Sequence, residues 1–303
     1  MKRRLTNKGF GINLRIGTQI VGKWQENRYT IIRKLGSGMV GSVYLCDSNG
    51  KRVALKISRQ PLSMTKEVNV LQSLNKAQDK TLGPYLLDVD DWEVNQNQAY
   101  SFYVMEYING VNFTTFMRGN GSEWIGVIFT QLLDQLHHLH KLGWVFGDLK
   151  VENLMVEQHS KKVRFVDVGG TTKLGRSIKE FTEFYDRGYW GLGTRRAEPS
   201  YDLFALVMVL LTLYYPNHFQ KRGDSIKRID EKINGIKDLD IYRFPLKKAI
   251  RGKYSSTAQM KQEWVYSIMK KQKGTKEKGN KWVEPMLILV LANLFYFGSV
   301  LLF

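Results

Sequence analysis

Three glycines set between two strand-like runs constrain this chain more than any other feature. They stand as Gly36-x-Gly38-x-x-Gly41. Before them runs Tyr29-Thr30-Ile31-Ile32, and after them Ser42-Val43-Tyr44-Leu45-Cys46, both rich in β-formers. Taken alone the spacing is a weak signal that a simple tight turn satisfies equally well. The flanks decide. A dinucleotide-binding loop leads from a strand into a helix, whereas this loop leads from strand to strand. The expectation is an antiparallel hairpin whose tip is bare backbone, where amide groups approach anionic oxygens with no side chain in the way.

A turn, Asp47-Ser48-Asn49-Gly50, reverses the chain into Val53-Ala54-Leu55-Lys56-Ile57. Lys56 interrupts an apolar run. An edge-strand lysine on a solvated face would look the same. At this offset from the glycines, a cation beside phosphate oxygens is the sharper reading. The one acid between Ile57 and Asn75 is Glu67, in a helical pattern whose core face is Val68 and Leu71. The short span from Lys56 to Glu67 predicts a trimmed helix. Further on, Phe102-Tyr103-Val104-Met105 is an apolar strand that runs into the polar link Glu106-Tyr107-Ile108-Asn109-Gly110.

Helical spacing of Trp124, Ile128, Leu132, Leu136 and Leu139 predicts an amphipathic helix. It carries His137, His138 and His140. No cysteine is near and the spacing matches no familiar ligand set, so helix-end and core histidines are expected, not a metal site. Then comes Phe146-Gly147-Asp148-Leu149-Lys150-Val151-Glu152-Asn153, in which one loop supplies a carboxylate, a cation and an amide oxygen. A short hairpin through Leu154-Met155-Val156 and Val163-Arg164-Phe165-Val166 ends in Asp167-Val168-Gly169, a second carboxylate just past a strand.

Together these residues resemble the eukaryotic-like (Hanks-type) Ser/Thr protein kinases over roughly Arg28 to Leu213. The pattern is most similar to the small membrane-anchored kinases of spore-forming Gram-positive bacteria, the YabT type. The resemblance implies an α+β, two-lobed fold with a β-rich N-lobe and a helical C-lobe. It implies ATP and Mg2+, or Mn2+, as cofactors and protein substrates, with Asp148 as catalytic base and Lys150 as the cation on the transferring phosphoryl group. Asn153 and Asp167 would hold the metal. Gly36, Ser37, Gly38, Gly41, Val43 and Ala54 would line the nucleotide, with Lys56 on its phosphates and Glu67 steadying Lys56. Met105 would back the adenine pocket, and backbone groups from Glu106 to Ile108 would read the adenine edge.

Three departures stand out. Phe146 and Gly147 replace the usual His-Arg, and the missing Arg is the one that clasps a phosphorylated activation segment. Without it, phosphorylation at Thr171, Thr172, Thr182 or Thr194 is not expected to act as an all-or-none switch through that route, unless Arg195 or Arg196 substitutes for it. Val168 replaces Phe in the metal motif. Arg195-Arg196-Ala197-Glu198-Pro199 stands where Ala-Pro-Glu is usual, ahead of Asp202 and the apolar run Leu203 to Leu213. The altered motifs leave a pseudokinase scaffold between membrane and nucleic acid as the alternative to an enzyme; the intact Lys56, Asp148, Asn153 and Asp167 oppose it.

The ends add a second layer. Residues 286–303 are uncharged and, as a helix, rise about 27 Å, enough to cross a bilayer core. A membrane span is the expectation, and a buried terminal helix the bland alternative. Lysines at 270, 271, 273, 276, 278 and 281 precede it and predict a single-pass cell-membrane protein with the kinase domain in the cytoplasm. The expected divisions are a basic N-terminal extension at 1–27, a kinase domain at 28–265, a basic flexible juxtamembrane linker at 266–285 and a transmembrane helix at 286–303. One cysteine, Cys46, excludes an internal disulfide. Net charge is +18, and residues 221–281 hold eighteen Lys/Arg against seven acids. Two partners fit this excess: anionic membrane lipid and non-sequence-specific DNA. Self-association for phosphorylation in trans completes the expected set.

Overall fold

The computed structural model describes residues 12–38, 40–76, 82–95 and 98–276. They form two compact units. One contains the described residues up to Asn112 together with Glu152–Thr171; the other contains Phe113–Val151 and the described residues from Thr172 onward.

The first unit is built on a six-stranded antiparallel sheet. Its strands are β1 (Gln19–Val21), β2 (Arg28–Ser37), β3 (Ser42–Ser48), β4 (Lys51–Ser58), β5 (Leu86–Asn95) and β6 (Gln98–Glu106), in the order β1-β2-β3-β4-β6-β5. The expected two-residue turn at Asn49–Gly50 joins β3 to β4. Strand alternation sorts the side chains. Tyr29 and Ile31, Tyr44 and Cys46, Val53, Leu55 and Ile57, and Tyr100, Phe102 and Val104 form one apolar cluster. Lys56, between Leu55 and Ile57, therefore turns to the opposite face, beside its cross-strand partner Tyr103.

Helix α1 (Pro61–Lys76) serves that opposite face. Met64, Glu67, Val68, Leu71 and Leu74 are buried at three- and four-residue steps, as Val68 and Leu71 predict. The helix is not trimmed. It runs a full sixteen residues, and the shortness lies in the link of two residues that separates it from β4. A small sheet of β7 (Gly110–Asn112), β9 (Leu154–Glu157) and β10 (Val163–Phe165) completes the unit, in the order β10-β9-β7.

The expected extension at 1–27 is also corrected, because its described part belongs to the fold. β1 pairs with β2, and Ile12 and Ile20 are buried in the apolar cluster. Tyr44 Oη donates to the Ile12 carbonyl and accepts from Leu14 N at 2.9 Å. Asp90, buried on β5, accepts Trp24 N at 3.0 Å and Gln25 N at 2.8 Å. The apolar residues of this stretch follow no strand alternation, so only the pairing reveals it. Burial pushes the Cys46 thiol up to about 12, the state of a packing group and not of a reactive one.

The second unit is helical: α2 (Phe113–Asn120), α3 (Trp124–Lys141), α4 (Arg187–Trp190), α5 (Pro199–Tyr214), α6 (Ser225–Asn234), α7 (Arg243–Ile250) and α8 (Thr257–Lys276), with a short ladder of β8 (Trp144–Val145) and β11 (Thr172–Lys173). Every residue of α5 from Ser200 to Thr212 is buried, so it forms the axis around which the others pack. Trp264 of α8 stacks on Tyr242 with ring centroids 3.9 Å apart and donates to the Gly126 carbonyl of α3.

The expected boundary at 265 falls inside α8, which carries the first part of the expected linker to Lys276 as helix, because Met260 and Trp264 bury its inner face. The expected transmembrane helix at 286–303 lies outside the described residues; among those described, no helix is long and apolar enough to cross a membrane.

Because Asp90 satisfies two backbone donors and is itself buried, Asp90→Ala should lower stability by about 1–3 kcal/mol. Deleting residues 1–27 should cost more, by baring Tyr29, Ile31 and Tyr44. Scanning calorimetry reads both; an unchanged midpoint in the deletion would show that the N-terminal segment is not part of the fold.

Candidate active site

The residues singled out by their chemistry fall into two groups, one in each unit. In the first, Lys56 Nζ lies 2.6 Å from Glu67 Oε2 and 3.8 Å from Asp167 Oδ1. Glu67 Oε2 also accepts Tyr103 Oη at 2.8 Å. Burial raises the Glu67 carboxyl above its usual range and Lys56 pulls it back; nearby Asp167 raises it further. Burial, and then the Glu67 charge, push the Tyr103 phenol well up, so it stays a donor. The ammonium is thus paired with the buried Glu67 carboxylate, while the Asp167 side chain remains 49% exposed. Gly169 N fixes Asp167 Oδ1 at 2.9 Å.

Asn153 ends a short 3-10 turn (Val151–Asn153), and its carbonyl accepts Val166 N at 3.0 Å. That bond ties it to the strand end that delivers Asp167. A carboxylate oxygen and an amide oxygen are hard donors, the set that suits Mg2+ or Mn2+ and not a soft metal.

The glycine hairpin forms as expected. Gly36 pairs with Val43 and Ser37 with Ser42, and Gly38 N donates to the Gly41 carbonyl at 2.9 Å. A side chain on Gly36 or Gly38 would meet nothing within 4 Å, so that backbone is open to an incoming anion. Gly41 is glycine for another reason: a Cβ there would fall 2.4 Å from the Ile57 carbonyl of β4. Beyond the hairpin, Val43 lies across from Lys56, and Ala54 lies across from buried Met105. The Glu106 N–H donates to the Tyr85 carbonyl at 2.8 Å, so it is not available to read an adenine edge as expected of it. The Glu106 carboxylate is gripped by buried Arg164 of β10, at 2.7 Å and 3.2 Å.

In the second unit, Lys150 Nζ lies 2.5 Å from Asp148 Oδ2, and Thr182 Oγ1 donates to Asp148 Oδ1 at 3.0 Å. Lys150 Nζ also reaches Thr182 Oγ1 at 3.2 Å. A carboxylate, an ammonium and a hydroxyl that touches both thus form one triangle. The loop before it hangs on Asp202 of α5, which is fully buried. Asp202 Oδ2 accepts Phe146 N at 2.8 Å and Oδ1 accepts Gly147 N at 2.9 Å. His140 Nε2 shares the same carboxylate at 2.8 Å, while its Nδ1 meets Thr257 Oγ1 at 2.7 Å. His140 is therefore a core connector, bonded through both ring nitrogens. Gly147 adopts φ 80°, a left-handed conformation that favours glycine over any larger residue.

The lost Ala-Pro-Glu is replaced by a different set of ties. Pro199 opens α5 directly after Glu198, and Glu198 pairs with Arg187 at 2.6 Å. Arg195 pairs with buried Asp186 at 2.6 Å, so it is not the spare cation expected at that position.

Sequence reasoning missed Tyr103, Thr182 and Asp202 as parts of this arrangement. Asp202 carried a signal, a lone acid at the head of an otherwise apolar helix. Thr182 carried none.

A family model described as the protein kinase domain matches residues 29–277. The chain is 47% identical over 254 residues to serine/threonine-protein kinase YabT of Bacillus subtilis, covering 84% of this chain and 75% of that protein. It is 24% identical to serine/threonine-protein kinase PrkC of the same organism, over 64% of this chain and 31% of PrkC. Among solved structures, that of vaccinia related kinase 3 is similar in fold, with TM-score 0.64 and 16% identity, over 86% of this chain and 93% of that one.

Thr182→Ala should lower kcat about 10–100-fold, through loosened geometry, with the KM for ATP unchanged. Thr182→Ser should restore most of it. Steady-state kinetics on a generic protein substrate decide: an unaltered kcat in the alanine variant would remove Thr182 from the arrangement.

Proposed function

Because this chain belongs to the protein kinase family and is a serine/threonine protein kinase, we propose that it transfers the γ-phosphoryl group of ATP through the two groups of residues just described. Asp148 accepts the proton of the incoming hydroxyl and aims its oxygen. Lys150 neutralises charge on the transferring group, with Thr182 fixing both side chains. Lys56, held by Glu67, binds the nucleotide phosphates, and the open backbone at Gly36 and Gly38 leaves room for them beside Ser37, the Gly38 N–H itself being taken by the Gly41 carbonyl. Asn153 and Asp167 would hold Mg2+, which would supply the remaining charge neutralisation. Catalysis in such a transfer is mostly positioning and electrostatics. The observation that carries this reading is the buried Lys56–Glu67 pair with Asp167 3.8 Å from the same ammonium.

The finer reading is a kinase anchored in the cell membrane by residues 286–303, with its catalytic domain on the cytoplasmic side. The lysines that precede that segment favour contact with anionic lipid. Exposed Arg222, Lys227, Lys237 and Lys253 lie well upstream of it and favour non-sequence-specific DNA as a second partner. Lys248 and Arg251 do not serve this reading, since they pair with Glu263 and Asp230. A shared polyanion would gather copies of the chain for phosphorylation in trans.

Asp148→Asn, Lys56→Ala and Asp167→Asn should each lower transfer by roughly 10²-fold or more with the fold intact, read by γ-labelled ATP and circular dichroism. Full activity in Asp167→Asn would point to a different metal site. Deleting 286–303 should release active protein to the soluble fraction. That truncated protein should shift DNA in a gel, with affinity falling about tenfold or more between 50 and 200 mM salt. Reversing Arg222, Lys227, Lys237 and Lys253 to Glu should weaken the shift and spare ATP hydrolysis. No complex at micromolar protein would leave lipid as the partner of this charge.

A further inference from the structure

Between Asp167 and α5 the chain pairs with itself. Gly175 N donates to the Ala197 carbonyl at 2.8 Å, Ala197 N to the Arg176 carbonyl at 2.7 Å and Ile178 N to the Arg195 carbonyl at 2.8 Å. Ser177 and Arg196 stand directly opposite each other in this antiparallel bridge. Ile178 and Ala197 point inward, packed with Val145 and Tyr201. Extended backbone alternates its side chains, so Ser177 and Arg196 both point outward, and both are exposed. Directly opposed residues on one face have Cβ atoms about 4.5–5.5 Å apart.

The neighbouring cations are committed elsewhere. Arg195 is tied to Asp186 and Arg187 to Glu198. Among the described residues, the Arg196 guanidinium makes no ion pair and the Ser177 hydroxyl no hydrogen bond. A serine hydroxyl thus faces a guanidinium that makes no ion pair, on the segment for which Gly147 supplies no clasp.

We propose that Ser177 is a phosphate-acceptor site of this kinase and that Arg196 is the clasp that holds the phosphate. The Ser177 oxygen bonds to the γ-phosphorus of ATP, the bond from that phosphorus to the β-phosphate oxygen breaks, and ADP leaves. The hydroxyl proton passes to the carboxylate of Asp148. The phosphate then links 175–178 to 195–197 by charge-assisted hydrogen bonds that the serine lacks. That cross-link steadies Ala197 and Glu198, which lead into α5. It acts as a graded stabiliser, since the backbone pairing exists without it. Delivery of the phosphate rests on the transfer reading above; the clasp does not.

Two arms test this on the full chain. Wild type and Asp148→Asn are incubated with Mg-ATP and their phosphates mapped by mass spectrometry. Phosphate on Ser177 is expected in wild type and not in the variant. Separately, phosphoserine is placed at 177 by codon expansion in the Asp148→Asn background. Its thermal midpoint should rise by about 2–4 °C over the unmodified protein, the size expected for one good contact in a domain of this length. Arg196→Ala should abolish that rise and Arg196→Lys should retain part of it. Phosphate at other positions but never at 177 would overturn the acceptor. An equal rise with and without Arg196 would overturn the clasp. A wild type that labels neither itself nor a generic protein substrate would instead sink the transfer reading, and the second arm would still decide the clasp.

Discussion

The carboxylate of Asp202, sealed inside the helical unit, is the tie on which its chemistry hangs. It takes hydrogen bonds from two consecutive backbone amides, Phe146 N and Gly147 N, and from His140. A buried carboxylate without donors would be costly; with three it becomes an anchor. The anchored amides fix the path of the chain into Asp148, so that carboxylate is aimed from the core and not from the surface. His140 passes the same constraint to Thr257 at the start of α8. Leu203 and Phe204 beside it supply the apolar seal that makes those hydrogen bonds strong.

The sheet-based unit solves a related problem differently. Lys56 is buried, and burying an ammonium is tolerable only with a partner. Glu67 supplies it from α1, and Tyr103 steadies Glu67 from β6. Such a pair adds little net stability, because desolvation offsets much of the attraction, but removing either partner would strand the other charge. The pair is best understood as geometry: it fixes the ammonium and leaves the Asp167 carboxylate open to solvent. Arg164 adds a second tie, from the strand that leads to Asp167 to the Glu106 end of β6.

Where the chain departs from the usual family pattern, the structure shows what stands in its place. Gly147 follows from a left-handed backbone at the Asp202 anchor. The ion pairs Arg187–Glu198 and Arg195–Asp186 brace the stretch before α5, where Ala-Pro-Glu is missing. They also separate two adjacent arginines that the sequence treats alike: Arg195 is structural, and Arg196 faces outward.

Local chemistry determined much of this protein from sequence alone. Strand alternation around the glycines, the lysine inside an apolar strand, the single acid on the next helix and the spacing from Asp148 to Asn153 each reflect a short-range rule, and each stands where that rule puts it. What tertiary structure alone decided rests on contacts distant in sequence. The N-terminal basic segment proved to be part of the sheet because Asp90, more than sixty residues away, caps its amides. The helix bearing Glu67 kept its full length, because a shorter link absorbed the difference. Asp202 and Thr182 joined Asp148 only through folding that brings residues 34 to 56 positions apart together. No periodicity or spacing encodes a hydrogen bond between such partners, since it depends on where two separately formed elements come to rest.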